Sequence, residues 1–129
     1  MTAVVLDASA LLAMIKNEPG GDRVAEALAE ARISAVNYAE VVSHFDFYGT
    51  PHHEIAAMLV PLPVEIIPAD RGLATLAGSL RAVTAEAGLS LGDRFCLAQA
   101  LSDGLPAWTA DRSLADVAAK VGVEVVLIR

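Results

Sequence analysis

The sequence predicts an α/β fold: a parallel sheet of five strands covered by helices on both faces. Three observations carry this. Short apolar, β-branched runs alternate with stretches of helical periodicity along all 129 residues. The runs read as continuous apolar segments, the pattern of strands buried on both sides. No repeat, linker or low-complexity segment breaks the alternation. The chain therefore reads as one domain, residues 1–129, long enough to bury a core. With 55% hydrophobic, 19% charged and 5% aromatic residues, that core is expected to be Ala, Val, Leu and Ile, and disorder is excluded.

Each element has a local reason. Ala3 to Leu6 is the first strand, and after Asp7-Ala8-Ser9 the residues Leu11, Leu12, Met14 and Ile15 take up helical spacing. Asn17 to Gly21 breaks the pattern, and Val24, Ala25, Leu28 and Ala29 form the inward stripe of a second helix. Arg32 to Ala35 is a brief second strand. Asn37 is expected to cap a helix that turns Val41, Val42 and Phe45 inward and ends at Gly49. Thr50 and Pro51 are read as N-cap and first-turn residue of the next helix, through about residue 60. Prolines 61, 63 and 68 bracket a third strand, Val64 to Ile67. Leu73, Leu76, Ala77, Leu80 and Val83 predict a single helix from Asp70 to Glu86, stopped by Gly88. Asp93 to Ser102 is apolar nearly all round, the mark of a buried helix. Pro106 to Thr109 is a fourth strand, Asp111 to Val121 a helix with Leu114, Ala115, Val117 and Ala118 inward, and Val123 to Ile128 a fifth strand.

Composition narrows the function. The apolar stretch from Val4 to Ile15 is interrupted by Asp7 and Ser9 and lacks a basic flank and a cleavage site, so it reads as neither signal peptide nor membrane span. Cys96 is the single cysteine, which excludes an intramolecular disulfide and a cysteine metal cluster and points to the cytoplasm. A net charge of −7 is the wrong sign for a broad basic nucleic-acid face. Bound metal would offset the charge of clustered acids, and seven of the nine basic residues are Arg, suited to local phosphate contacts.

Four acids stand out: Asp7, Glu40, Asp93 and Asp111, each at or just inside a predicted helix start. Singly, each has a capping explanation. Asp7 and Asp111 are candidate N-caps, and Asn37 with Glu40 and Ser90 with Asp93 have capping-box spacing. Jointly that explanation weakens, because Asp7 and Asp111 directly follow strands predicted to be central, and parallel sheets gather ligands at the carboxyl ends of their strands. Four carboxylates in one pocket repel one another unless a divalent cation sits among them. A helix N-terminus keeps such a carboxylate charged, so capping and ligation are compatible.

The four segments Val4-Val5-Leu6-Asp7-Ala8-Ser9, Ile33 to Val41, Leu91-Gly92-Asp93-Arg94 and Thr109-Ala110-Asp111-Arg112 together resemble the PIN-domain nucleases, and more narrowly the VapC toxins of bacterial toxin–antitoxin pairs. The resemblance runs end to end. It implies a three-layer α/β/α sandwich around a mostly parallel sheet, Mg²⁺- or Mn²⁺-dependent endoribonuclease activity on RNA, a homodimer and a cognate antitoxin. Residue by residue, Asp7, Glu40, Asp93 and Asp111 match the family's acidic quartet, and Ser9 and Thr109 its polar supports. Asp7, Asp93 and Asp111 would hold metal, with Glu40 positioning water or a second ion; Arg94 and Arg112 are candidates for phosphate contact, with surface ion pairs as the default reading of both. Some members carry a further acid two or three residues past the last Asp. Here Ser113 and Leu114 stand there and Asp116 lies one turn on, leaving one or two metals open.

The remaining chemistry reads as structural. His52 and His53 are adjacent and diverge on a helix, His44 stands alone, and Cys96 and Trp108 belong to the core. Phe47 and Tyr48 extend the apolar helix around Val41, Val42 and Phe45 and mark a candidate surface for antitoxin or dimer contact. A phospho-accepting signalling domain would want two adjacent acids after the first strand, and an aspartate phosphatase a second acid at position 9, where Ser9 stands. A non-catalytic scaffold of the same family is the remaining rival.

Overall fold

A computed structural model describes residues 3–129. Its sheet has five strands, all parallel, in the order β3-β2-β1-β4-β5, with β1 Val4–Leu6, β2 Ala31–Ser34, β3 Glu65–Ile67, β4 Ala107–Thr109 and β5 Val125–Leu127. The crossovers are helical: α1 Ala8–Ile15, α2 Gly21–Ala27, α3 Ala35–Phe47, α4 His52–Leu59, α5 Arg71–Ser79, α6 Arg81–Thr84, α7 Leu91–Asp103, α8 Arg112–Asp116 and α9 Ala118–Val121. Alternation along β1 splits the core in two. Val4 and Leu6 face a cluster with Leu11, Val24, Ile33, Val41 and Ile55, while Val5 faces Leu73, Leu97, Ala107 and Leu114. The result is the expected three-layer α/β/α sandwich, with the central strands β1, β2 and β4 largely buried and the edge strands β3 and β5 exposed or half-buried.

The order of strands puts β1 in the centre with its partners β2 and β4 on either side. The order in sequence reverses there, which opens a crevice at the carboxyl ends of β1 and β4. Asp7 and the residues after Thr109 emerge into that crevice. α7 lies in the layer on the Val5 face, packed on β1, β2, α3 and α5, and is buried over Gly92 and Arg94–Ala100. It is the all-round apolar helix the sequence predicts.

Several boundaries differ from expectation. The helix read from Asp70 to Glu86 is broken at Leu80 into α5 and α6, and Thr84 rather than Val83 is buried on the second piece. The helix read from Asp111 to Val121 is likewise broken at Val117. Leu80 and Val117 are both buried at these breaks. In α2 and the 3₁₀ turn Leu28–Glu30, only Gly21, Val24 and Leu28 turn inward; Ala25 and Ala29 are exposed. Pro51, not Thr50, is the N-cap of α4. Among the described residues no helix is long and apolar enough to cross a membrane.

Candidate active site

Asp7 follows β1 and is the N-cap of α1. Its Oδ1 accepts from the Ala10 amide at 2.9 Å and from Ser9 Oγ at 2.7 Å, and its Oδ2 accepts from Thr109 Oγ1. Both oxygens are thus held while the residue is buried. Thr109, the last residue of β4, also accepts from the Asp111 amide at 2.9 Å, and Ser9 Oγ accepts from the Ala110 amide at 2.9 Å. The two hydroxyls stand 3.2 Å apart. They lace the end of β1 to the end of β4 and orient both aspartates at once.

Asp111 is the N-cap of α8 and is exposed; its Oδ1 accepts from the amide and hydroxyl of Ser113 at 2.9 and 2.6 Å. Ser113 therefore anchors this aspartate. Asp93 closes a capping box at the start of α7: it accepts from the Ser90 amide at 2.9 Å, while its own amide donates to Ser90 Oγ at 3.2 Å. The capping explanation holds for Asp7, Asp93 and Asp111, and it fails for the fourth pair. Strand β2 ends at Ser34, Ala35 is already helical, and Ser34 Oγ accepts from the Asn37 amide at 3.1 Å, so Ser34 is the N-cap of α3 and Asn37 is not. Glu40 lies a turn further in, with its Oε1 accepting from Asn37 Nδ2 at 2.8 Å.

These elements meet. Asp7, Ala8, Ser9, Leu12, Asn37, Glu40, Asp93 and Asp111 line one cleft of about 210 Å³. Burial raises the Asp7 carboxyl to about 6 against the pull of its three hydrogen-bond donors, and the negative charge of Asp93 adds to the rise. Glu40 is raised for the same two reasons, burial first and Asp93 after, with Asn37 opposing. Beneath them the buried Cys96 thiol is pushed well up by burial and by Asp7, Asp93 and Glu40 together, so it stays protonated and inert.

The donor set suits a hard divalent cation. All candidate ligands are oxygens, and among the described residues the second oxygens of Glu40, Asp93 and Asp111 take no hydrogen bond. Among the same residues no group of three His, Cys, Asp or Glu side chains is arranged to hold a metal ion directly. The carboxylates border the cleft rather than close around one point, an arrangement that fits an ion keeping much of its own water, as Mg²⁺ does.

Neither arginine lines this cleft. Arg94 is buried, with Nε 3.4 Å from the Ser90 carbonyl, whereas Arg112 is exposed; among the described residues neither forms an ion pair. His52 is exposed on Asp46 at 2.7 Å, and His44 packs its ring against Phe45 and Tyr48, both away from the acids. Phe47 and Tyr48 are 81% and 72% exposed, too open to be core. Sequence reasoning missed Asn37 and Gly92 as parts of the site. A signal existed for Asn37: it shares the inward stripe of α3 with Val41, one turn on, where a carboxamide needs buried partners.

A family model described as the PIN domain matches residues 4–120. No curated protein matches the chain in sequence. Among solved structures, a DNA-bound VapBC from Salmonella typhimurium is similar at 21% identity and a TM-score of 0.78, over 100% of both chains. A toxin–antitoxin complex from Klebsiella pneumoniae is similar at 21% identity and 0.72, over 98% of both chains. VapC20 of Mycobacterium tuberculosis, a sarcin-ricin loop cleaving toxin, is similar at 16% identity and 0.73, over 88% of this chain and 94% of that one.

Proposed function

The chain belongs to the PIN-domain family, and from that premise we propose that it is a Mg²⁺- or Mn²⁺-dependent endoribonuclease, the toxin of a bacterial VapBC-type toxin–antitoxin pair. One observation carries the reading: Asp7, Glu40, Asp93 and Asp111, delivered by four different elements, border a single cleft at the carboxyl ends of a parallel sheet. The names of the similar solved proteins supply the class of substrate and partner.

In this reading Asp7, Asp93 and Asp111 would hold the ion, directly or through its water, and Glu40 would position a water or a second ion from the exposed side of the cleft. When bound, the cation makes the attacking water a better nucleophile and stabilises the oxygen leaving phosphorus. Ser9 and Thr109 keep both Asp7 oxygens and the backbone before Asp111 in place. Exposed Arg112 is the better candidate for a phosphate contact; Arg94 is buried along α7. The enzyme is read as a single domain, residues 1–129, acting in the cytoplasm as a homodimer held in check by a cognate antitoxin, with Phe47 and Tyr48 offered for contact.

The test is cleavage of total cellular RNA with Mg²⁺, Mn²⁺ or EDTA by the parent and by Asp7→Asn. The parent is expected to cut only with metal, and Asp7→Asn to lose more than about 100-fold in rate, beyond the roughly 10–100-fold cost of losing a group that only orients a metal ligand. Cleavage that persists in EDTA would refute the mechanism. The second reading is a scaffold of the same family that binds RNA or a protein partner without cutting. Metal binding by calorimetry with no cleavage of any RNA would favour it.

A further inference from the structure

Asn37 has a side chain whose every strong contact serves the cleft. It is 1% exposed. Its Oδ1 accepts from Ser34 Oγ at 2.6 Å, and its Nδ2 donates to Glu40 Oε1 at 2.8 Å and to the Gly92 carbonyl at 2.9 Å. The orientation of the carboxamide is unambiguous, because both partners of Nδ2 are pure acceptors and a flipped amide would set oxygen against oxygen. Ser34 Oγ in turn is fixed by accepting from the Asn37 amide at 3.1 Å while it donates to Oδ1. The relay is closed: serine, asparagine, then the carboxylate and the first turn of α7.

The other side of Glu40 is set by an absence. A Cβ on Gly92 would collide with the Glu40 carboxylate, so that carboxylate lies directly on the backbone of α7, one residue from Asp93. Asn37 pulls Glu40 and the Gly92 carbonyl to one nitrogen, and Gly92 leaves the space into which Glu40 is pulled. We propose that Asn37 is a positioning residue for the acidic cleft: its buried carboxamide ties Glu40 on α3 to the first turn of α7 and thereby sets the distance from Glu40 to Asp93. The inference rests on the nuclease reading for its consequence, and on geometry alone for its cause. A tie that only held α3 to α7 would need the Gly92 bond and not the one to Glu40.

The experiment compares Mn²⁺ binding by calorimetry in the parent, Asn37→Ala, Glu40→Gln and the double variant, together with a crystal structure of Asn37→Ala. Asn37→Ala is expected to weaken Mn²⁺ binding by about tenfold or more, the usual scale for losing a group that orients a ligand. In the Glu40→Gln background the same substitution is expected to cost little further, because its effect runs through Glu40. Equal losses in both backgrounds would mean a general packing role and would overturn the proposal. In the crystal structure the Glu40 carboxylate is expected to leave Gly92; a carboxylate still seated there would overturn the proposal on its own. Should the parent bind no Mn²⁺, the nuclease reading fails, and the position of Glu40 in that crystal structure still decides the role of Asn37.

Discussion

Asp7 is the residue at which stability and function oppose each other. Its folded-state carboxyl, pushed up to about 6 by burial, stands above the ordinary value of 3.8. The folded protein therefore holds this proton more tightly than the unfolded chain, and stability from this group is full below about pH 4 and is lost as pH rises through 6. The loss amounts to roughly 3 kcal/mol for a group this deeply buried. In metal-free buffer, Asp7→Asn is expected to remove that slope and to be the more stable protein at pH 8. The network tolerates the change: Asn Oδ1 keeps the Ser9 and Ala10 donors, and Thr109, which already accepts from the Asp111 amide, can turn its proton to Ser9. Urea unfolding of both proteins at pH 4, 6 and 8 in EDTA checks this, and parallel curves would show that burial does not load Asp7 as argued. Asp7, Asp93 and Asp111 were legible in the sequence because each sits at a strand end or a cap, whereas Glu40 was singled out by a capping-box spacing that the structure does not use. Asn37 was misread as a cap because its spacing to Glu40 imitates a capping box, while the true cap, Ser34, lay inside the expected second strand, one residue before its expected end at Ala35.

At the scale of elements, burial outweighs the cap in holding α7. Ser90→Ala removes the acceptor for the Asp93 amide and should cost about 1 kcal/mol. Leu97→Ala, fully buried in the middle of the helix, should cost about 2–5 kcal/mol. Urea midpoints at unchanged slope measure both, and a cap loss as large as the core loss would contradict this ranking. The buried character of α7 was plain from its composition, as were the five strands from their β-branched runs. The breaks at Leu80 and Val117 were not. Periodicity continues across both, and neither position holds a glycine or proline that would have marked a break.

For the whole molecule, the concentrated negative charge predicts that a divalent cation is also a folding ligand. With Mn²⁺ at about 100 times its dissociation constant, unfolding free energy should rise by about 2.7 kcal/mol, and EDTA should reverse the gain. Thermal melts at pH 8 with and without Mn²⁺ test this, and a gain of the same size in Asp7→Asn would place the ion elsewhere. The sequence by itself determined the α/β class, the parallel order of short buried strands and the junctions where Asp7, Asp93 and Asp111 begin helices, since apolar runs and N-caps are contacts between near neighbours. Only the tertiary structure decided that Asn37 faces Gly92 across 55 residues, that Thr109 grips Asp7 across 102, and that Arg94 turns inward. Those relations depend on how layers pack around the sheet, and no local pattern in the chain encodes the distance between residues so far apart.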